Sequence, residues 1–284
     1  MAIFNQSLSE ADIPQIWRVA TIIPLLKAGK PASELASFRP ISLTSCVVKL
    51  LERMIAERLY HFAETQNKFN HQQAGFRKGR GCEDQIARVV QAIQDGFHHK
   101  PMKRSVIALL DFSKAYDMVW RERLLTSMLE QGVPFNLLKW IRSFLQNRTA
   151  KVKFNGTLSN GKQMKQGLPQ GAVLSPLLFL FYINNLADDL PNTNINSMFA
   201  DDVAILATKP SLEEAEAAVQ EAVTVVAKWA KTWKLRLNAG KSEASHFSTS
   251  PREASWTPKV KVEGETIKHE PTPRLLGVIL DRTL

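Results

Sequence analysis

An α+β fold is what this sequence predicts, on three observations: apolar runs of strand length, amphipathic stripes of helix length, and tight turns that join strand-like runs directly. From Thr44 the chain reads as a helix, because Val48, Leu51, Ile55, Leu59 and Phe62 fall on one face. Val106 to Phe112 is apolar apart from Asp111, the pattern of a buried strand ending in a carboxylate. Lys151 to Leu158 alternates around Asn155-Gly156, a strong hairpin signal. Ser175-Pro176 sets an N-cap residue before a proline suited to the first helical position, and the apolar Leu177 to Ile183 follows.

Met198 to Leu206 has apolar arms around Asp201-Asp202, as a hairpin with two acids at its tip would have. Ser211 and Glu214 make a capping box that opens a long helix. Its stripe is Leu212, Ala215, Val219, Ala222, Val226, Trp229 and Trp233, which assigns both tryptophans to the core. Beyond Ser248 the chain turns rich in Ser, Pro and charge, and only Lys259 to Ile267, turning at Glu263-Gly264, reads as a further hairpin. No repeat is visible.

The 284 residues are 44% hydrophobic and 23% charged, the balance of a globular protein able to bury a core. Net charge is +10, which favours a polyanionic partner over an acidic small substrate. Between Lys68 and Arg104 stand eight basic residues against three acidic ones, so half the excess lies in that stretch as a solvated basic face or a phosphate contact. Cys46 and Cys82 are far apart and lack ligand spacing, which argues for a reducing compartment, against zinc, and for structural thiols. The first fifteen residues carry no signal-peptide pattern, and the longest greasy run, Gly171 to Ile183, is too short to span a bilayer. No membrane role is expected.

Adjacent carboxylates at a tight turn repel and lose solvation, so keeping both ionised calls for a cation. Asp201-Asp202 therefore suggests a metal, whereas Asp188-Asp189 reads as solvated loop. With Asp111 closing another apolar strand, three strand-borne acids suffice for two Mg²⁺ ions, which prefer hard oxygen ligands. Mn²⁺ is a possible substitute. Two such ions could activate a 3′-hydroxyl and neutralise a triphosphate, as in phosphoryl transfer.

Three runs extend this constellation: residues 110–117 (LDFSKAYD), 166–176 (QGLPQGAVLSP) and 199–202 (FADD). Their order resembles the palm motifs of reverse transcriptases. Residues 38–43 (FRPISL), 73–77 (QAGFR) and 275–278 (LLGV) narrow the likeness to LINE-type, non-LTR retrotransposons of the jockey kind. The resemblance spans nearly the whole chain. It implies a right-hand polymerase core over 7–284, with fingers at about 7–104 and 121–160, and a palm at about 105–120 and 161–284 whose antiparallel sheet is flanked by helices.

By that resemblance Asp111 and Asp201 match the metal-holding acids and Asp202 their companion. Asp117 matches a second acid of the first motif, where a structural or capping role and direct contact with metal both stand open. Tyr116 is placed like the ring that packs beneath the incoming sugar and excludes a 2′-hydroxyl. Gln170 matches a glutamine lining the nucleotide pocket, and Gly171 would let backbone approach the substrate. Arg39 matches an arginine that pairs with the triphosphate, with Lys27 or Lys30 as a second charge. Lys241, in the turn at 238–241, is placed like a lysine that donates a proton to departing pyrophosphate. Leu276-Gly277 resembles a primer grip.

The implied reaction is extension of a DNA primer on an RNA template with deoxynucleoside triphosphates, inside the cell in nucleus and cytoplasm; no protein partner can be read. Two departures stand out: Phe199 replaces the tyrosine of many relatives, and the chain ends where a thumb is expected, with no room for an upstream endonuclease. A thumbless fragment that binds RNA without polymerising is therefore the alternative. An RNA-dependent RNA polymerase is disfavoured by the bulk of Tyr116.

Overall fold

The computed structural model describes residues 2–191 and 195–284, and the chain forms two compact units. One comprises Met1–Lys68 with Tyr116–Tyr182, the other Phe69–Ala115 with Ile183–Leu284. Both mix helices and sheet, so the fold is α+β.

In the first unit Phe38–Leu43 lies antiparallel to Val19–Leu26, which in turn runs parallel to Thr149–Phe154. Two short strands, Thr157–Leu158 and Lys162–Gln163, complete the sheet on Thr149–Phe154. Asn155 and Gly156 both adopt left-handed φ, +47° and +79°, as a two-residue hairpin turn requires. The helix Cys46–Thr65 buries Val48, Leu51, Ile55 and Leu59 completely, and Ala63 takes the inward place expected of Phe62. Glu52 is buried on the same helix and accepts from the Leu174 amide at 3.1 Å. Burial pushes its carboxyl above the usual range, while the Leu174 and Val173 amides and Arg148 pull it back.

Ser175–Ile183 is helical, and from Leu177 onward every residue is buried, so this helix is apolar all round and forms the unit's centre. Ser175 does not cap it. Its hydroxyl donates to the Pro169 carbonyl at 2.8 Å, tying the preceding turn down instead.

In the second unit the strand order is Lys268–His269, Glu243–Phe247, Arg104–Leu110, Asp202–Lys209, Ile195–Phe199. Neighbours among the last four of these strands are antiparallel, and Lys268–His269 joins the edge in parallel. Because side chains alternate across a strand, Ile107, Ala204, Leu206 and Phe247 share one face and pack with Val89 and Ile93 of the helix Cys82–His98. Leu212–Thr232 packs against Arg104–Leu110 and Asp202–Lys209 on the other face. Ser211 caps that helix by accepting from the Glu214 amide at 3.2 Å, while the Glu214 carboxylate meets the serine hydroxyl rather than its backbone. All seven stripe residues are buried, and Trp229 stacks on Trp233 with centroids 5.2 Å apart. A fully buried apolar side chain of this size is worth about 1.5–3 kcal/mol, which is why pattern alone located the helix.

The cysteines depart from expectation: Cys46 is exposed, Cys82 half-buried, and neither belongs to the core. Among the described residues no helix is long and apolar enough to cross a membrane.

Candidate active site

Strand register assembles the acids in the second unit. Leu110 pairs with Val203, so the next rung sets Asp111 opposite Asp202. Leu109 pairs with Glu243, so two residues on Lys241 comes level with Asp111. Alternation then puts Asp111, Asp202 and Lys241 on one face, where the Lys241 Nζ lies 3.8 Å from Asp111 Oδ2. They line a cleft of about 370 Å³ together with Phe199, Arg274, Leu276 and Gly277. Leu276 and Gly277 form the left-handed turn, φ +48° and +95°, between Arg274–Leu275 and Val278–Ile279. Asp111, Asp202 and the segment resembling a primer grip thus line one cleft, and Asp201 stands beside Asp202 at the hairpin tip, near enough to Asp111 to be raised by it.

The acids are electrostatically uncomfortable. Burial raises the Asp201 carboxyl and Asp111 adds to it; burial raises Asp202 to about 6, with Asp201 and then Asp111 adding repulsion. Asp202 as a residue is exposed at the rim, so solvent screens part of this repulsion. Asp111 Oδ2 is buried with no hydrogen bond, and Lys241 is too distant and too exposed to supply one. Among the described residues no group of three or more His, Cys, Asp or Glu is placed to hold a metal ion by itself. What the tip offers is an open set of hard oxygen donors short of positive charge, which fits a divalent, oxygen-seeking cation.

Two devices that motif reading missed hold the acids. Asp111 is gripped through its backbone: its carbonyl accepts from Asn238 N–H at 2.8 Å, and its N–H donates to Ser242 Oγ at 3.2 Å. The acid hairpin turns through Ala200, a non-glycine residue at φ +57°. There Gln73, buried to 1% exposure, accepts from Ala200 N–H at 2.8 Å and donates to the Ala200 carbonyl at 3.3 Å. A glutamine in a loop carries no periodicity, so only its motif position could have flagged it. Arg77, one of the eight basic residues of 68–104, is buried and donates to the carbonyls of Asn70 and Gln73.

The remaining candidates belong to the first unit. Tyr116 stacks on Phe179, centroids 4.7 Å apart, and its carbonyl accepts from Leu168 N–H. Gln170 donates to Asp117 Oδ1 at 3.0 Å, and its carbonyl accepts from Ser42 N–H at 2.7 Å. Gly171 stands at φ +114°, and a Cβ there would lie 2.6 Å from the Ser42 carbonyl oxygen. The close approach that demands glycine is therefore to the strand Phe38–Leu43, a structural reason that the motif alone did not reveal. Arg39, on that strand opposite Leu25, is exposed. Lys27 donates to the Ala36 carbonyl at 3.0 Å, and Lys30 is exposed.

Comparison with known proteins identifies the family and the fold. The family model "Reverse transcriptase (RNA-dependent DNA polymerase)" matches residues 26–280. The RNA-directed DNA polymerase from mobile element jockey of Drosophila melanogaster is 32% identical over 99% of the chain, and that of Drosophila funebris 33% over 99%. The chain spans 31% of the length of each. A telomerase of Candida tropicalis, solved with a fragment of telomeric RNA, shares the fold at a TM-score of 0.60 with 12% identity, covering 88% of this chain and 45% of that one. The family match over most of the chain makes this chain a member of the reverse transcriptase family.

Proposed function

We propose that the chain is the catalytic core of an RNA-directed DNA polymerase of a non-LTR retrotransposon, extending a DNA primer on an RNA template with deoxynucleoside triphosphates. The observation that carries it is that Asp111 and Asp202 line a cleft shared with Leu276-Gly277, with Asp201 next in the hairpin and close enough to Asp111 to feel its charge. Asp111 and Asp201 would hold divalent cations, Mg²⁺ or Mn²⁺, with Asp202 beside them. When bound, such ions lower the cost of an attacking 3′-oxyanion and of charge on the leaving pyrophosphate.

The chain's own residues do the rest. Asn238 and Ser242 fix the Asp111 backbone, so its carboxylate faces the cleft in one orientation. Lys241 holds a proton at Nζ on the same face, in range to give it to the departing group. Leu276 and Gly277 form the far wall, where a primer end would rest. Arg39 presents a planar guanidinium suited to a triphosphate, with Lys27 or Lys30 as a second charge. Tyr116, held flat against Phe179, supplies a rigid ring against which a ribose 2′-hydroxyl would clash. Gln170 and Gly171 shape the nucleotide side. We assign the palm role to the acid-bearing unit, and place the protein inside the cell, in nucleus and cytoplasm.

The test is primer extension by the purified chain on a homopolymer RNA template. Parent chain extends the primer, and Asp201→Asn loses about 10³-fold or more, several kcal/mol of transition-state stabilisation. Unchanged extension by that variant defeats the assignment. Salt-dependent RNA binding with no extension by the parent points to a silent RNA-binding fragment.

A further inference from the structure

The turn that presents Asp201 and Asp202 is conformationally unfavourable by itself. Ala200 occupies the left-handed region at φ +57°, where a Cβ crowds the following carbonyl and alanine has no polar side chain to compensate. Its N–H and carbonyl are also unavailable to the strand ladder, whose last pair is Phe199 with Asp202. A buried peptide group without partners would leave the turn, and hinder any burial of the acids beside it.

Gln73 meets both needs. Its Oε1 accepts from Ala200 N–H and from Gly75 N–H, each at 2.8 Å, and its Nε2 donates to the Ala200 carbonyl at 3.3 Å. One carboxamide thus bridges the N–H and the carbonyl of Ala200, groups of the two peptide units that flank the turn residue. The segment bearing it is anchored on the hairpin by two further bonds, Ala74 N–H to the Met198 carbonyl at 2.9 Å and Met198 N–H to the Gln72 carbonyl at 3.1 Å. Gly75 lies so close that a Cβ would stand 2.3 Å from Ala200 N, which excludes any other side chain there. Arg77 bonds the Gln73 carbonyl at 3.0 Å and so braces the latch from behind.

We propose that Gln73 is a positioning residue for the reaction: its carboxamide holds Ala200 left-handed and thereby sets the Asp201 and Asp202 carboxylates toward Asp111. The inference rests on the proposed role of those acids. Gln73 touches neither substrate nor ion. Its effect is on the rate and on the cation requirement, and leaves nucleotide affinity alone.

Gln73→Met keeps the volume and removes all three hydrogen bonds. In this chain it is expected to lower kcat at least 30-fold with KM for deoxynucleotide within twofold, and to weaken Mn²⁺ binding, read by electron paramagnetic resonance, at least fivefold. Exchange of the Ala200 amide hydrogen should quicken at least tenfold. Adding Ala200→Gly, which takes positive φ unaided, should return at least fivefold of the lost rate. A folded Gln73→Met with parental kcat, Mn²⁺ affinity and Ala200 exchange overturns the latch. If Gln73→Met does not fold, Gln73→Glu, which still accepts but no longer carries the Nε2 donor, is read by the same three measurements against the same criteria. Mn²⁺ binding by the parent that survives Asp201→Asn sinks the acid assignment itself, a result separable from failure of the latch.

Discussion

The acid hairpin at 199–202 and the turn at 166–172 are both glycine-assisted, both bonded to distant segments, and opposite in electrostatic balance. At the hairpin, burial pushes up both Asp201 and Asp202, Asp111 adds to each and Asp201 adds to Asp202, and Asp111 Oδ2 has no hydrogen bond. At the turn, every polar group in view is answered within the protein: Gln170 bonds Asp117 and Ser42, Ser175 bonds the Pro169 carbonyl, and Gly167 N–H donates to the Val119 carbonyl. A region that satisfies itself is built to be rigid. One that leaves charge uncompensated is stabilised by something the chain does not contain, and that distinction separates a scaffold from a ligand site.

The largest stability effect expected falls on the self-satisfied side. Gly171→Ala adds a Cβ 2.6 Å from the Ser42 oxygen at a φ of +114°, so either strand or turn must move. The cost is about 1–3 kcal/mol from backbone strain, with the contact adding to it. Thermal unfolding should show Tm lowered by several degrees; an unchanged Tm would mean that the turn is looser than its bonding suggests.

A smaller effect, opposite in sign, belongs to the acids. Asp202, raised from 3.8 to about 6, contributes stability below pH 3.8 that is lost as pH climbs through 6. A divalent cation reverses that loss by favouring the charged form. Mg²⁺ or Mn²⁺ should therefore raise Tm at pH 7.5, by about 1.4 kcal/mol of stability at ten times Kd, and the gain should shrink through pH 6 and vanish near pH 4. Asp201→Asn should be more stable than the parent in chelator at pH 7.5 and gain little from the cation. Equal cation shifts at pH 4 and 7.5 would break the contrast.

How much of this was legible follows from what each feature depends on. The buried helix faces, the acid hairpin and the long capped helix obey periods of 2 and 3.6, so Val48, Leu51, Ile55 and the stripe to Trp233 could be placed from spacing alone. Convergence of Asp111 with Asp201 and Asp202 could not: it depends on the pairing of Leu110 with Val203, ninety-three positions apart, and was reached through motif resemblance. Gln73, Asn238, Ser242 and Glu52 act through backbone groups remote in sequence, which no local pattern reports. Gly171 was legible as a required glycine, whereas its close approach to the Ser42 carbonyl depends on a strand far back in the chain.

The smallest expected effect is the one that isolates sign from size. Asp117 accepts from Gln170 Nε2 at 3.0 Å, a charge-assisted bond in a place where no other acid of the turn competes. Asp117→Asn keeps an oxygen at the same position and removes only the charge. Hydrogen bonds to charged groups contribute about 1.5–3 kcal/mol and neutral ones about 0.5–1.5, so the difference, reduced by the half-exposure of Asp117, comes to about 1 kcal/mol or less. The same chemical change, carboxylate to carboxamide, should thus lower Tm at 117 and raise it at 201 when both are measured in chelator at pH 7.5. Carboxylates whose neutralisation destabilises are held by the protein; those whose neutralisation stabilises are held for a cation. Shifts of the same sign at both positions would show that the two regions do not differ in the way their hydrogen bonds imply.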